Sequence, residues 1–188
     1  TGLQGATGTG LWGQQFMISG TEASGSFGCA LSSRIFSITP MVSVGASGEI
    51  GGSGRSYVYN GFNGDKLATI SPEGDDISQF GRSQASCTID QMGCSIIGYS
   101  QSGIGKINVY KETNQGLNDY SLFQTLSGMD DSYGVVLRGR GSRLMVGAPN
   151  DLSKGAVYFY SFDESSGIFV LQQKVVPSNL TVGDHFGK

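Results

Sequence analysis

An aromatic residue followed by glycine recurs at Phe27-Gly28, Phe80-Gly81, Tyr133-Gly134 and Phe186-Gly187, at three equal steps of 53 residues. Identical intervals mean that one structural unit is repeated, so the fold must set copies of that unit side by side. Other landmarks keep their order inside each unit. An apolar run ending in glycine comes next, as Val42-Ser43-Val44-Gly45, Ser95-Ile96-Ile97-Gly98 and Leu144-Met145-Val146-Gly147. A second glycine then opens an alternating stretch that ends in tyrosine, at 54–59, 105–110 and 155–160. Apolar segments at 67–70, 122–126 and 169–176 close the units, and 11–18 reads as the closing segment of a preceding one.

Each unit therefore holds four strand-length segments separated by turn residues, with no sustained 3.6-residue apolar period. Composition agrees: 31 glycines, 4 prolines and only 14% charged residues describe short strands joined by tight turns. Helices of ten or more residues, which a doubly wound α/β fold requires, have no room. The expected fold is all-β, an array of four-stranded antiparallel sheets of the β-propeller blade type, with three to three and a half units across residues 11–188. In such an array glycine lets backbones approach closely and tolerates positive φ, and the aromatic before it is expected to fill the wedge between blades. Residues 1–10, with Gly2, Gly5 and Gly8, read as a flexible linker or the end of a collagen-like stalk.

Gly147-Ala148-Pro149-Asn150-Asp151 followed by Gly155-Ala156-Val157-Tyr158 resembles the Gly-Ala-Pro core of FG-GAP repeats, which build the seven-bladed propellers of integrin α subunits. Weaker versions stand at Gly45-Ala46-Ser47 and Gly98-Tyr99-Ser100, and Asp184-His185-Phe186-Gly187 resembles the opening of a fourth repeat. The resemblance implies a non-enzymatic extracellular or surface recognition module whose ligand sits on loops at one end of the blades. Many members carry a calcium loop rich in aspartate between the first two strands of a blade. The corresponding segments here, 32–40, 86–93 and 138–142, contain Asp90 as their single acid, so no calcium or other cofactor is expected. Three and a half units cannot close a seven-bladed ring. The chain is read as a fragment of a longer array, with a ring completed by two copies and a shorter or open array as alternatives.

Net charge of -3 argues against nucleic-acid binding, and no apolar run reaches membrane-spanning length. The only histidine, His185, falls in a terminal turn, and neither a nucleophile elbow nor a histidine–cysteine metal cluster is present, so no catalysis is expected. Cys87 and Cys94 flank a hairpin turn, a spacing that suits a cross-strand disulfide and equally suits two half-buried thiols. Asn179-Leu180-Thr181 is a glycosylation sequon if the chain is secreted.

Propeller topology puts the connections between strands four and one, and between strands two and three, on one face. That face collects Glu22, Glu49, Glu73, Asp75, Asp76, Asp130, Asp131, Asp151 and Asp184, nine of the 15 acidic residues, against Lys154. The clustered charge points to a basic protein surface, or a glycan held through a bridging cation, with Asp75, Asp76, Asp130, Asp131 and Asp151 as the binding residues. The bland alternative is that these aspartates are turn-formers. Arg138-Gly139-Arg140-Gly141-Ser142-Arg143 reads first as a solvated hairpin and second as a phosphate or sulfated-sugar site. Two further functions stay open: a structural subunit of an oligomer, fibre or virion surface, in which these arginines meet a neighbour's acidic face, and an accessory domain of a secreted enzyme.

Overall fold

A computed structural model describes residues 16–36, 39–113 and 119–188. The linker at 1–10 and most of the segment at 11–18 lie outside the described residues; Phe16, Met17 and Ile18 form no strand. Among the described residues, twelve strands build three sheets. Sheet 1 holds β1 (Phe27–Phe36), β2 (Thr39–Ala46), β3 (Arg55–Asn60) and β4 (Lys66–Ile70). Sheet 2 holds β5 (Ile77–Ile89), β6 (Met92–Gln101), β7 (Ile104–Glu112) and β8 (Tyr120–Ser127). Sheet 3 holds β9 (Val136–Arg140), β10 (Arg143–Ala148), β11 (Ala156–Asp163) and β12 (Ile168–Val175). Each sheet is an antiparallel meander in chain order, and the only helical turns among the described residues are two short 3₁₀ segments, Ile50–Gly52 and Asp151–Ser153.

The repeat is kept down to the register. Val44, Ile97 and Val146 occupy one position and pair with Leu31, Gln84 and Leu137 across the first two strands of their sheets. A bulge falls at the same place between strands three and four of every sheet, between Val58 and Tyr59, Val109 and Tyr110, and Phe159 and Tyr160. Such a bulge adds local twist.

The segments expected to be loops between the first two strands are mostly strand. β1 and β2 run on through 32–36 and 39–40, and β5 and β6 meet at Asp90-Gln91, both with positive φ. That is a two-residue turn of the type whose twist matches a hairpin. Alternation of side chains continues along these segments, and pairing right up to the turn satisfies backbone groups that a longer loop would leave to water.

The aromatic–glycine pair is the joint between sheets. Gly81, Gly134 and Gly187 all have φ between 79° and 91°. The carbonyl of each lies against a glycine in the later half of the second strand of the sheet before: Gly45, Gly98 and Gly147 in turn. Phe80, Tyr133 and Phe186 likewise place their backbone on Gly54, Gly105 and Gly155, and parallel bridges join Gly54 to Phe80 and Gly155 to Phe186. A side chain on Gly45, Gly98 or Gly147, or on Gly54, Gly105 or Gly155, would overlap main chain that cannot move aside.

The ring then turns inward. Phe80, fully buried, packs with Tyr99 and Tyr110 of its own sheet at 5.7 and 6.2 Å and joins a cluster with Met41, Val58 and Ile70 of sheet 1. Tyr133 meets Tyr158 edge-on at 5.2 Å, and its hydroxyl is 2.7 Å from that of Tyr160. Burying one such ring contributes about 2–3 kcal/mol, and each aromatic pair about 1 kcal/mol beyond that. Phe80 and Tyr133 do fill the wedges, as expected.

The two sheet interfaces are sealed differently. Between sheets 1 and 2, the Arg34 guanidinium is buried and bonds Glu112 and, at 2.8 Å, the Tyr120 hydroxyl. Burial pushes the Tyr120 phenol up to about 12, Arg34 only partly offsetting it. Between sheets 2 and 3 the positions of Arg34 and Met41 are taken by Cys87 and Cys94, directly paired across the hairpin, and Phe162 packs against their cluster. The disulfide read as an option from the sequence is not formed. Both thiols are free and buried, where they pack as small apolar groups. Their mutual hydrogen bond, reinforced by burial, pushes the Cys87 thiol well up.

Two outcomes follow for stability, both read by urea unfolding. Gly98→Ala sets a Cβ 2.5 Å from the Gly134 carbonyl and should cost about 3 kcal/mol, whereas Gly141→Ala, facing open solvent at φ 55°, should cost about 1 kcal/mol. Glu112→Gln leaves the Arg34 charge buried and should cost about 3 kcal/mol, and Arg34→Met with Glu112→Leu should regain most of it. Equal costs in either comparison would contradict the packing described.

Candidate functional site

The connections expected to share a face do so. The β6–β7 turn, Ser102-Gly103, lies beside the β4–β5 connection, where Gln101 Nε2 and Ser102 N donate to the carbonyls of Asp75 and Asp76 at 2.9 and 3.3 Å. Gly105 N donates to the Asp130 carbonyl at 2.8 Å, and Gly183 N to that of Ser153 at 2.8 Å, so the later connections are stapled together in the same way.

The carboxylates of this face have four different fates. Asp75 and Asp76 are exposed, as are Glu73 and Asp184. Asp130 spends its side chain locally, accepting from Ser132 N at 2.7 Å and from the Ser132 hydroxyl, which makes it the turn-former of the bland reading. Asp131 is half tied down. Arg82 reaches across from sheet 2 to its carboxylate at 3.1 Å and to the carbonyls of Asp131 and Tyr133. A hydrogen bond from Ser100, with Arg82 added, holds the Asp131 carboxyl below its usual range.

Glu49 and Asp151 are not on the surface at all. They occupy the same place in sheets 1 and 3, four residues beyond Gly45 and Gly147, and are 0% and 3% exposed. Each accepts a bond from the tyrosine three residues beyond the next strand's opening glycine, Tyr57 and Tyr158. Asp151 also pairs with Lys174 Nζ at 2.9 Å, and Glu49 with the Thr21 hydroxyl at 3.0 Å. Asp151 is therefore withdrawn from the ligand-binding set. Burial is affordable here because hydroxyl and ammonium partners replace the lost water. Sequence spacing put both acids in the correct connection but could not tell that the loop folds them inward.

What projects instead is apolar. Ile50 and Leu152, next to the two buried acids, are 42% and 68% exposed. Their φ values are 53° and 50°, the left-handed region, and for β-branched Ile50 that conformation is rare and strained. Met129 at 81% and Val182 at 76% stand out from neighbouring connections of the same face. Together these side chains form raised apolar points among Glu73, Asp75, Asp76 and Asp131. No sequence signal marks them, because nothing in Glu49-Ile50-Gly51 or Asp151-Leu152-Ser153 distinguishes an outward apolar residue from a core one.

Of the remaining candidates, Arg138, Arg140 and Arg143 are exposed on the β9–β10 hairpin, and Asn179 is exposed beyond β12. Lys111 pairs with Asp90 at 2.9 Å on the opposite face. No helix of the described residues is long and apolar enough to cross a membrane.

No family model and no curated protein matches the chain. Among solved structures it is similar to Sqt1 of Saccharomyces cerevisiae, a WD40 β-propeller protein, with a TM-score of 0.52 at 12% identity. The match covers 84% of this chain and 37% of Sqt1, so the chain spans little more than a third of that protein's length. The fold is of β-propeller type. At this identity the likeness carries the arrangement of sheets and nothing about ligands, and no family model ties the Gly-Ala-Pro segment of sheet 3 to a particular propeller family.

Ile50→Gly and Leu152→Gly relieve the left-handed conformation. Each should stabilise the chain by up to about 1 kcal/mol in urea unfolding; destabilisation would show that the side chains serve the fold.

Proposed function

We propose that the chain is a non-catalytic protein-interaction module of a propeller, and that it docks a partner on the face formed by the β2–β3, β4–β5, β8–β9 and β10–β11 connections. The observation that carries this reading is the strained, outward setting of Ile50 and Leu152 at equivalent positions, among carboxylates. Conformational strain and exposed apolar area both work against an isolated fold, and they gather where a surface is used. The chemistry fits a partner that presents lysine or arginine beside aliphatic or aromatic side chains. Apolar points supply desolvation, and the surrounding acids supply steering and register.

The propeller fold, with loops of one face free to vary over fixed sheets, suits such binding. An integrin-like extracellular or cell-surface setting is the companion proposal. The Gly-Ala-Pro resemblance of sheet 3 and the exposed sequon at Asn179 support it.

Peptide display on the immobilised chain tests the interaction. Selected sequences should be rich in basic residues next to apolar ones. Their affinity should fall at least tenfold, about 1.4 kcal/mol, with Asp75→Lys/Asp76→Lys and with Ile50→Ser/Leu152→Ser. Asp163→Lys, on the opposite face, should change nothing. Selected binders indifferent to all the loop-face changes would overturn the proposal.

A further inference from the structure

The first strands of the three sheets contribute the same three repeat positions to one groove. Residues 31–33 of β1, 84–86 of β5 and 137–139 of β9 line it together with Val42, and its volume is about 490 Å³. Small-molecule sites typically measure about 300–1,000 Å³, so this groove is of that size.

At the first of the three positions sheets 1 and 3 carry leucine, Leu31 and Leu137, whereas sheet 2 carries Gln84. Leucine there serves the fold, as Leu137 does within the core cluster. Gln84 is 4% exposed, and its amide is only half satisfied. Nε2 donates to the Ser56 hydroxyl at 2.7 Å, while Oε1 has no hydrogen-bond partner among the described residues. A buried amide oxygen that has lost water and gained no bond works against stability. A departure from the repeat that weakens the fold, and that lines a groove, points to a ligand that completes it.

Hydroxyls accompany this oxygen. Ser86 lies on the same side of β5 as Gln84, since alternate residues of a strand share a face, and its hydroxyl is 2.7 Å from that of Ser32. Ser33, next along β1, is exposed. Each of these hydroxyls can both donate and accept. Leu31, 64% exposed, and Val42 make part of the wall aliphatic.

Arg138 supplies the one charge of the lining, and no acid faces it there. It is exposed and enters no ion pair among the described residues. Its Nη1 donates to the Leu137 carbonyl at 2.8 Å, which holds the guanidinium near its own strand.

These groups together select one chemistry. Hydroxyls and an amide acceptor match a polyol, aliphatic side chains match the C–H face of a sugar ring, and a guanidinium matches a carboxylate in a two-bond fork. We infer that the groove binds a monosaccharide acid, with its carboxylate on Arg138 and its ring hydroxyls on Ser33, Ser86 and Gln84 Oε1. The site uses strand residues alone and none from the loop face, so it stands or falls separately from partner docking there.

Titration of the 188-residue chain with glucuronate and galacturonate, followed by backbone amide NMR shifts, tests the inference. Shifts should centre on residues 31–33, 84–86 and 137–139. At least one of the two acids should bind at least tenfold more tightly than glucose or acetate. Arg138→Gln should remove the advantage over glucose, and Gln84→Leu, which restores the residue of the other two sheets, should weaken the acid at least tenfold. Arg138→Gln and Ser33→Ala change exposed side chains and carry the test if Gln84→Leu does not fold; each should weaken the acid.

Failure of both acids to bind overturns the inference, as does equal affinity for glucose or for acetate. Shifts confined to the loop face would also overturn it. So would binding that Arg140→Gln with Arg143→Gln abolishes and Arg138→Gln leaves intact, since the anion would then sit on the β9–β10 turn.

Discussion

Backbone laid directly on backbone holds each sheet to the one before it. The glycine after the head aromatic turns its carbonyl onto a glycine in the later half of the neighbouring second strand, and the aromatic's own main chain rests on the glycine that opens the third strand. An approach this close leaves no room for a Cβ on the glycines that receive the contact, the positive φ of Gly81, Gly134 and Gly187 favours glycine on the other side, and the spacing must recur wherever a sheet is added. The ring of the aromatic inherits a fixed origin from that contact. This is why Phe80 and Tyr133 find tyrosines of their own sheets at similar distances and centre clusters that span two sheets.

Around that constant joint, the side chains that seal the sheets are free to differ as long as both sides change together. Arg34 with Glu112 and Tyr120 is a polar seal, in which bonding and attraction must offset the desolvation of two charges. Cys87, Cys94 and Phe162 achieve closure with apolar contact alone. A lone change on one side would bury an unpaired group, and that penalty is what couples the two sides.

The loop face shows how little a residue type says before its loop is placed. Five aspartates and a glutamate that look alike in sequence become solvent-facing charges at Asp75 and Asp76, a turn cap at Asp130, a clasp for Arg82 at Asp131, and buried struts at Asp151 and Glu49. The two struts shape their connections so that Ile50 and Leu152 are turned out at positive φ. Fold and candidate site are linked there: the inward acid and the outward apolar residue are neighbours in one short turn, and each conformation requires the other.

The sequence by itself determined the repeat, its four strands per unit, the near absence of helix and the face to which each connection belongs. All of these follow from local alternation, glycine placement and equal spacing, which act over a few residues or recur at a fixed interval. Only the tertiary structure decided which charges survive at the surface, that β5 and β6 stay paired up to the Asp90-Gln91 turn, that Cys87 and Cys94 pack as thiols, and that apolar tips share the acidic face. Those outcomes depend on contacts between residues tens of positions apart, where burial and available partners set the balance, and no local pattern encodes that balance.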